Sequence, residues 1–233
     1  MTVNMARDRC GVLLVGLTLV SMIASLYMTF LWAPTERTMG DVQRIFYFHV
    51  PSAWVAFFAF LLVFVFSLAY LVRRNKRWDN ISAASAEIGV LFCTLVLITG
   101  PIWAKPAWGV WWTWDARLTL TLVLWLIYVA YLMLRHYMPD PERRATFSAV
   151  LGVVGFIDVP LVYFSIRWWR TQHPQPVMSG GESSGLEPPM LATLLVCLGT
   201  FTLLFFALLR IRLRLQRLRE EADEIQDRLE QTA

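Results

Sequence analysis

Charge and cysteine are what this sequence has least of. Asp, Glu, Lys and Arg together supply 16% of its 233 residues, against roughly a quarter in an ordinary soluble domain, which excludes a disordered chain or a fully solvated surface. Its three cysteines, Cys10, Cys93 and Cys197, stand far apart. None begins a C-x-x-C pair, so neither a disulfide scaffold nor a cysteine-rich metal site is indicated, and they read as small packing residues. Lysine is confined to Lys76 and Lys105. Neither follows a glycine, so ATP cannot be bound through a P-loop. No internal repeat stands out.

Apolar residues are in excess. They make up 57% of the chain and the mean hydropathy is +0.52, beyond the roughly 45–50% apolar content of soluble domains, so the excess belongs in lipid. Six apolar stretches lie at about 11–32, 50–72, 82–102, 118–135, 145–166 and 189–209. Each is long enough to cross a hydrocarbon core of about 30 Å as a helix. The first exceeds the roughly 7–15 apolar residues of a cleaved signal peptide and reads as an anchor. The expectation is an all-α polytopic membrane protein with six transmembrane helices.

A formal charge of +4 and a pI near 9.2 raise the question of nucleic acid. The placement of the basic residues answers it: the N-terminus, second and fourth loops and C-terminal tail hold 15 Lys and Arg, the other three loops 6. That asymmetry is the positive-inside pattern. It predicts cytoplasmic N- and C-termini and a lipid bilayer, not nucleic acid, as the partner of the charge. The chain then divides into a six-span membrane domain, 1–209, with a Trp-rich external loop at 103–119, and a cytoplasmic amphipathic charged helix, 210–233. In that tail Ile211, Leu215, Leu218, Ala222, Ile225 and Leu229 form a heptad seam of under three heptads. Its basic start, Arg210 to Arg219, fits anionic headgroups, whereas Glu220 to Glu230 points away from them. A docking helix for a cytosolic partner and a solvated amphipathic helix both remain open.

The unusual residues fall on the external side. His49 and His173 each sit where a span meets an external loop, at the same depth, while His136 lies among basic residues inside. Two neutral imidazoles from separate helix ends can ligate one metal between them. With aromatics rather than carboxylates around them, a large flat metal carrier suits them better than bare zinc. Trp103, Trp108, Trp111, Trp112 and Trp114 fall within twelve residues, more than an aromatic belt of one or two per helix requires. Positions 108, 111, 112 and 115 have the spacing of one helix face, and Pro106 suits an early helical position, so a short interfacial helix ending near Asp115 is expected. Lys105, Arg117, Arg167 and Arg170 border it and could pair with carboxylates. Haem has an iron that takes two axial ligands, an apolar macrocycle and two carboxylates. An interfacial anchor remains the alternative.

W-G-V-W-W-T-W-D-A-R-L-T (Trp108 to Thr119) resembles the tryptophan-rich "WWD" signature of the haem-handling membrane proteins of cytochrome c maturation. T-G-P-I-W-A-K-P beside it, F-Y-F-H-V-P-S-A-W before the second span and D-V-P-L-V-Y-F-S-I-R-W-W-R-T-Q-H after the fifth are similar to those of the CcmC, haem exporter protein C, family. The resemblance covers about residues 30 to 210, in four motifs in the expected order. It implies a multi-pass protein of the bacterial inner membrane that holds haem b at the periplasmic face. His49 and His173 would be the axial ligands, and the loop with Trp103, Trp108, Trp111, Trp112, Trp114, Asp115 and Arg117 the platform. It further implies transfer of haem to the chaperone CcmE, which joins it covalently, and an assembly with the ATP-binding-cassette pair CcmA and CcmB and the small membrane protein CcmD. On this reading the chain is a carrier and not itself an enzyme. Departures are Gln172 and Pro174 around His173, where an apolar residue and Gln are expected, and Leu120, where a small polar residue is commoner.

Two other functions fit the residues less well. A haem-attaching lyase would need a further external domain to capture its protein substrate, and an electron-transfer cytochrome usually buries its histidine pairs within spans. Asp158 and Glu87 lie inside predicted spans. Asp158 could tune the site, pair internally or bond backbone freed by Pro160; Glu87 is expected to reach headgroups. Orientation can be checked directly. Single cysteines at Ala107 and Ser179 should react with a membrane-impermeant reagent applied from the periplasm, and one at Asn75 should not; the reverse pattern contradicts the charge count.

Overall fold

The computed structural model describes residues 9–169, 171–173 and 186–232. Among these there are seven α-helices and no β-strand, and six segments are long and apolar enough to cross a membrane. The chain is a polytopic helical membrane protein. Helix α1, Arg9–Tyr27, ends in a π-helical turn, Met28–Trp32, and a 3-10 turn, Asp41–Ile45, leads into α2, Phe46–Arg73. Then come α3, Lys76–Trp108; α4, Ala116–Tyr137; α5, Pro141–Gly155; α6, Asp158–Trp168; and α7, Pro188–Thr232.

The turns are set by local chemistry. Arg74 at φ 52° closes α2, and the side chain of Asn75 accepts a hydrogen bond from Arg77 N at 2.9 Å to start α3. Asp140 caps α5 in the same way through Arg143 N at 2.8 Å, with Pro141 in the first turn, where a missing N–H costs nothing. The fifth span is broken between α5 and α6 because Pro160 has no N–H for the carbonyl of Phe156. That carbonyl instead accepts from Val159 N at 3.1 Å, and Ile157 N bonds Val154 O at 3.1 Å, so the chain tightens through one i→i+3 turn. Asp158 opens α6 at this break, and its buried Oδ2 has no hydrogen-bond partner among the described residues. That oxygen therefore makes neither the internal pair nor the backbone bond considered for it.

Two further expectations change. The surface helix expected over Trp108 to Asp115 does not form. Helix α3 runs through Pro101 and Pro106 to Trp108, and Gly109, at φ +78°, ends it by donating its N–H to Lys105 O at 2.9 Å. Residues 110–115 are then non-helical until α4 begins. The helical spacing of 108, 111, 112 and 115 is overridden by Gly109, whose left-handed backbone stops the helix inside the pattern. The tail, expected as a separate element from 210, continues the last span as one 45-residue helix; the boundary at 210 is one of charge, not of backbone.

Helix α3 is the central packing partner, contacting α2, α4 and α7. Its small-residue stretch, Ser82 to Gly89, lets α2 approach closely, the usual device where apolar burial gives helices no driving force to associate in lipid. A Cβ at Gly89 would lie 2.5 Å from the Phe60 ring, and Phe60 in turn stacks on Tyr128 of α4 at 3.8 Å between centroids. Ser67, Ser82 and Tyr131 form a buried hydroxyl chain at 2.9 and 3.1 Å. Ser25 and Thr200 join α1 to α7 at 2.7 Å. Gly89→Val should therefore destabilise the bundle by about 1–3 kcal/mol through overpacking, seen as a lower melting temperature in detergent. Gly16→Val, where nothing lies within 4 Å, should leave it unchanged; equal melting of the two variants would contradict this packing.

Candidate functional site

The site is assembled where α2 begins and α3 ends. Phe46 and Tyr47 are buried at the head of α2 and fix its first turn. Arg44, just before it, holds the preceding loop through Asp41 Oδ1 at 3.1 Å and the carbonyls of Thr29 and Ala33. His49 follows on this turn, only 8% exposed, its ring edge-on to Trp103 of α3 at 5.9 Å.

The tautomer of His49 follows from its partner. Thr99 Oγ1 donates its single proton to Leu95 O at 2.7 Å, so at 2.8 Å from His49 Nδ1 it can only accept. The neutral ring then carries its proton on Nδ1 and its lone pair on Nε2. Gly100 leaves room beside the ring, since a Cβ there would meet His49 Cε1 at 3.4 Å.

His49 lines a cavity together with His173, so the structure brings both predicted histidines to one place. The walls are mostly apolar, with Phe57, Val96, Leu97 and Val162 among them. Trp103, Trp108, Trp112 and Arg117 complete the lining. Trp103 Nε1, Trp112 Nε1 and one terminal guanidinium nitrogen of Arg117 are buried donors with no acceptor among the described residues. Each unpaired buried donor costs about 1–3 kcal/mol. Three of them around one apolar cavity call for a ligand that brings acceptors, and beside a cation the best acceptor is an anionic oxygen.

The predicted residues separate into groups. Trp111 and Trp114 are exposed, at 57% and 75%, and do not line the cavity; Trp114 packs edge-on to Trp112 at 5.7 Å. Asp115 is a structural cap: its Oδ1 accepts from Leu118 N and its Oδ2 from the Thr113 hydroxyl, both at 3.0 Å. By starting α4 there it delivers Arg117, two residues on, to the cavity. Lys105 is turned away, bonding Gly109 O at 2.9 Å. Arg167 lies over the Tyr163 and Phe164 rings, and Arg170 lies outside the described residues. His136 is at the other end of the bundle. Glu87, expected to reach headgroups, instead pairs with Arg212 of α7. Sequence reasoning missed Thr99, because Gly100-Pro101 reads as the end of a span; α3 continues, and Thr99 lies on it beside His49.

By class, then, this is a multi-pass helical membrane protein with an imidazole-lined, donor-rich ligand cavity at one end of its bundle. The sequence matches the model of the CcmC family, heme exporter protein C, over residues 2–228, and the chain belongs to that family. It is 39% identical to heme exporter protein C of Bradyrhizobium diazoefficiens, over 91% of this chain and 81% of that protein. Identity to heme exporter protein C of Haemophilus influenzae is 34%, over 88% and 84%. With the protein of that name from Escherichia coli K12 it is 32%, again over 88% and 84%.

Proposed function

We propose that this chain handles haem for cytochrome c maturation by binding haem b between His49 and His173 and presenting it for covalent loading of the chaperone CcmE. The observation that carries the reading is the shared cavity: two imidazoles, one with its lone pair set on Nε2, beside three unpaired donors. A bound haem would supply an iron for the two histidine nitrogens, a macrocycle for the apolar walls and carboxylates for the donors. Family membership supports haem as the cargo. In this reading Trp103, Trp112 and Arg117 bind the carboxylates, Trp108 packs against the ring, and exposed Trp111 and Trp114 face the incoming chaperone. Thr99 is a positioning residue, acting on the iron only through His49.

The cavity is partly open and, at about 70 Å3, small beside a macrocycle. The segments carrying Trp112 and His173, 110–115 and 171–173, are non-helical. In this reading these two segments are where the cavity would widen to admit haem. The excess of Lys and Arg on the opposite side supports a periplasmic position for the cavity, and family membership supports a bacterial inner membrane as its setting. Assembly with CcmA, CcmB and CcmD supplies the ATP hydrolysis for which this chain has no P-loop.

The test is haem content after purification at equal protein level. His49→Ala and His173→Ala should each abolish stable haem retention, and His136→Ala should not. Thr99→Val should weaken haem binding about 10–100-fold, the usual cost of losing the hydrogen-bond partner that orients a ligand histidine, with Thr99→Ser restoring it. Replacing Trp111 and Trp114 together by Phe should leave haem content intact and lower covalent haem on CcmE. Wild-type haem content in either His49→Ala or His173→Ala would sink the site.

A further inference from the structure

At the opposite end of the bundle from His49 a second cleft, of about 540 Å3, opens between α3, α4, α5 and α7. It is polar and strongly basic. Arg135 and His136 reach it from α4, Arg144 from α5, and Arg212 and Arg219 from α7, while Glu87 is the one acidic residue in its lining. Two of the arginines are already balanced. Arg135 makes a bidentate pair with Asp79 at 2.6 and 2.9 Å, and Arg212 makes one with Glu87. Arg144 and Arg219 have no carboxylate partner among the described residues. The cleft therefore carries two uncompensated guanidinium groups, the side chain best shaped to grip a phosphate.

Its level along the bundle narrows the choice of anion. Arg212 lies 24 residues after Pro188, the start of α7, or about 36 Å at the rise of an α-helix, just beyond a hydrocarbon core of about 30 Å. Ala83 and Leu132 give the cleft an apolar edge, and Met133 and Ile211, on the helices that flank it, are exposed as lipid-facing residues are. The wall formed by α7 is pinned in place by Lys76, which meets Glu220 at 3.1 Å. A phosphate placed here has basic side chains on three helices and an apolar exit for acyl chains. The cleft is also far larger than a single oxyanion needs.

We propose that this cleft is a binding site for the phosphate of an acidic phospholipid, held by Arg144 and Arg219. The site is independent of the haem reading, since none of its residues lines the other cavity. Basic pockets between membrane helices are a recurrent means of holding acidic lipid headgroups. Here the bound lipid would brace the long α7 against α4 and α5, each of which packs on other helices and meets α7 across the cleft.

The full chain in detergent is titrated with phosphatidylglycerol or phosphatidylcholine, and bound lipid is counted by native mass spectrometry. Wild type should retain one phosphatidylglycerol about tenfold more tightly than phosphatidylcholine, and Arg144→Gln with Arg219→Gln should remove that preference. Arg144→Lys with Arg219→Lys, which keeps both charges, should preserve most of it, and excess inorganic phosphate should not displace the lipid. Equal retention of both lipids by wild type, or full retention of phosphatidylglycerol by the Gln variant, overturns the proposal. Ready displacement by inorganic phosphate overturns the lipid as its source, and selective capture of an acidic peptide in place of lipid overturns it in favour of a protein partner.

Discussion

The hydrogen bond between His49 Nδ1 and Thr99 Oγ1 is the contact through which the helical packing acts on the ligand cavity. It exists only because α2 and α3 lie close along their length. The small residues of α3, ending in Gly89 beneath Phe60, set that spacing, and the hairpin at Arg74 and Asn75 sets the register. Once those are fixed, Thr99 meets the ring from α3, and its own proton is spent on Leu95 O. The imidazole is thereby oriented with its lone pair on Nε2, as a hydrogen-bonded partner does at ligand histidines. The preference is built into the backbone before any ligand arrives.

The two ends of the bundle are built differently. In the lining of the His49 cavity the polar groups are few, and three of them are buried donors unpaired among the described residues, so they remain open to an acceptor. At the His136 end charges are many, and of the arginines that line the wide cleft Arg135 and Arg212 are paired with carboxylates while Arg144 and Arg219 are not, among the described residues. The first arrangement suits the proposed apolar ligand with anionic edges, and the second suits the proposed lipid phosphate. Between them lies a core of stacked aromatics and small residues, with no ionic contact linking the ends among the described residues. The break at Phe156 and Ile157 is the exception in that middle layer, and it leaves Asp158 buried below the first cavity.

The six spans were legible in the sequence because lipid imposes the plainest of patterns, long apolar runs ended by charge. The pairing of His49 with His173 was legible from their common depth. The Trp-rich segment was misread in detail: its helical spacing is real, but Gly109 decides the backbone, and only three of five tryptophans line the cavity. Thr99 opens the T-G-P-I-W-A-K-P motif but drew no role, because Pro101 reads as a terminator, whereas a helix packed on neighbours passes through a proline. Asp115 looked like part of the chemistry and is a helix cap, a role its position three residues before Leu118 would have revealed. The partnership of Glu87 with Arg212 joins residues 125 apart, a separation at which local pattern carries no information.

Whether one iron is held by His49 and His173 together is read from electron paramagnetic resonance of the ferric haem-loaded protein. The expected result is a low-spin signal with hyperfine coupling to two histidine nitrogens, converted to a different ligation state when either His49 or His173 is replaced. A high-spin, singly ligated iron in the wild type, or an unchanged bis-histidine signal after His173→Ala, would contradict it.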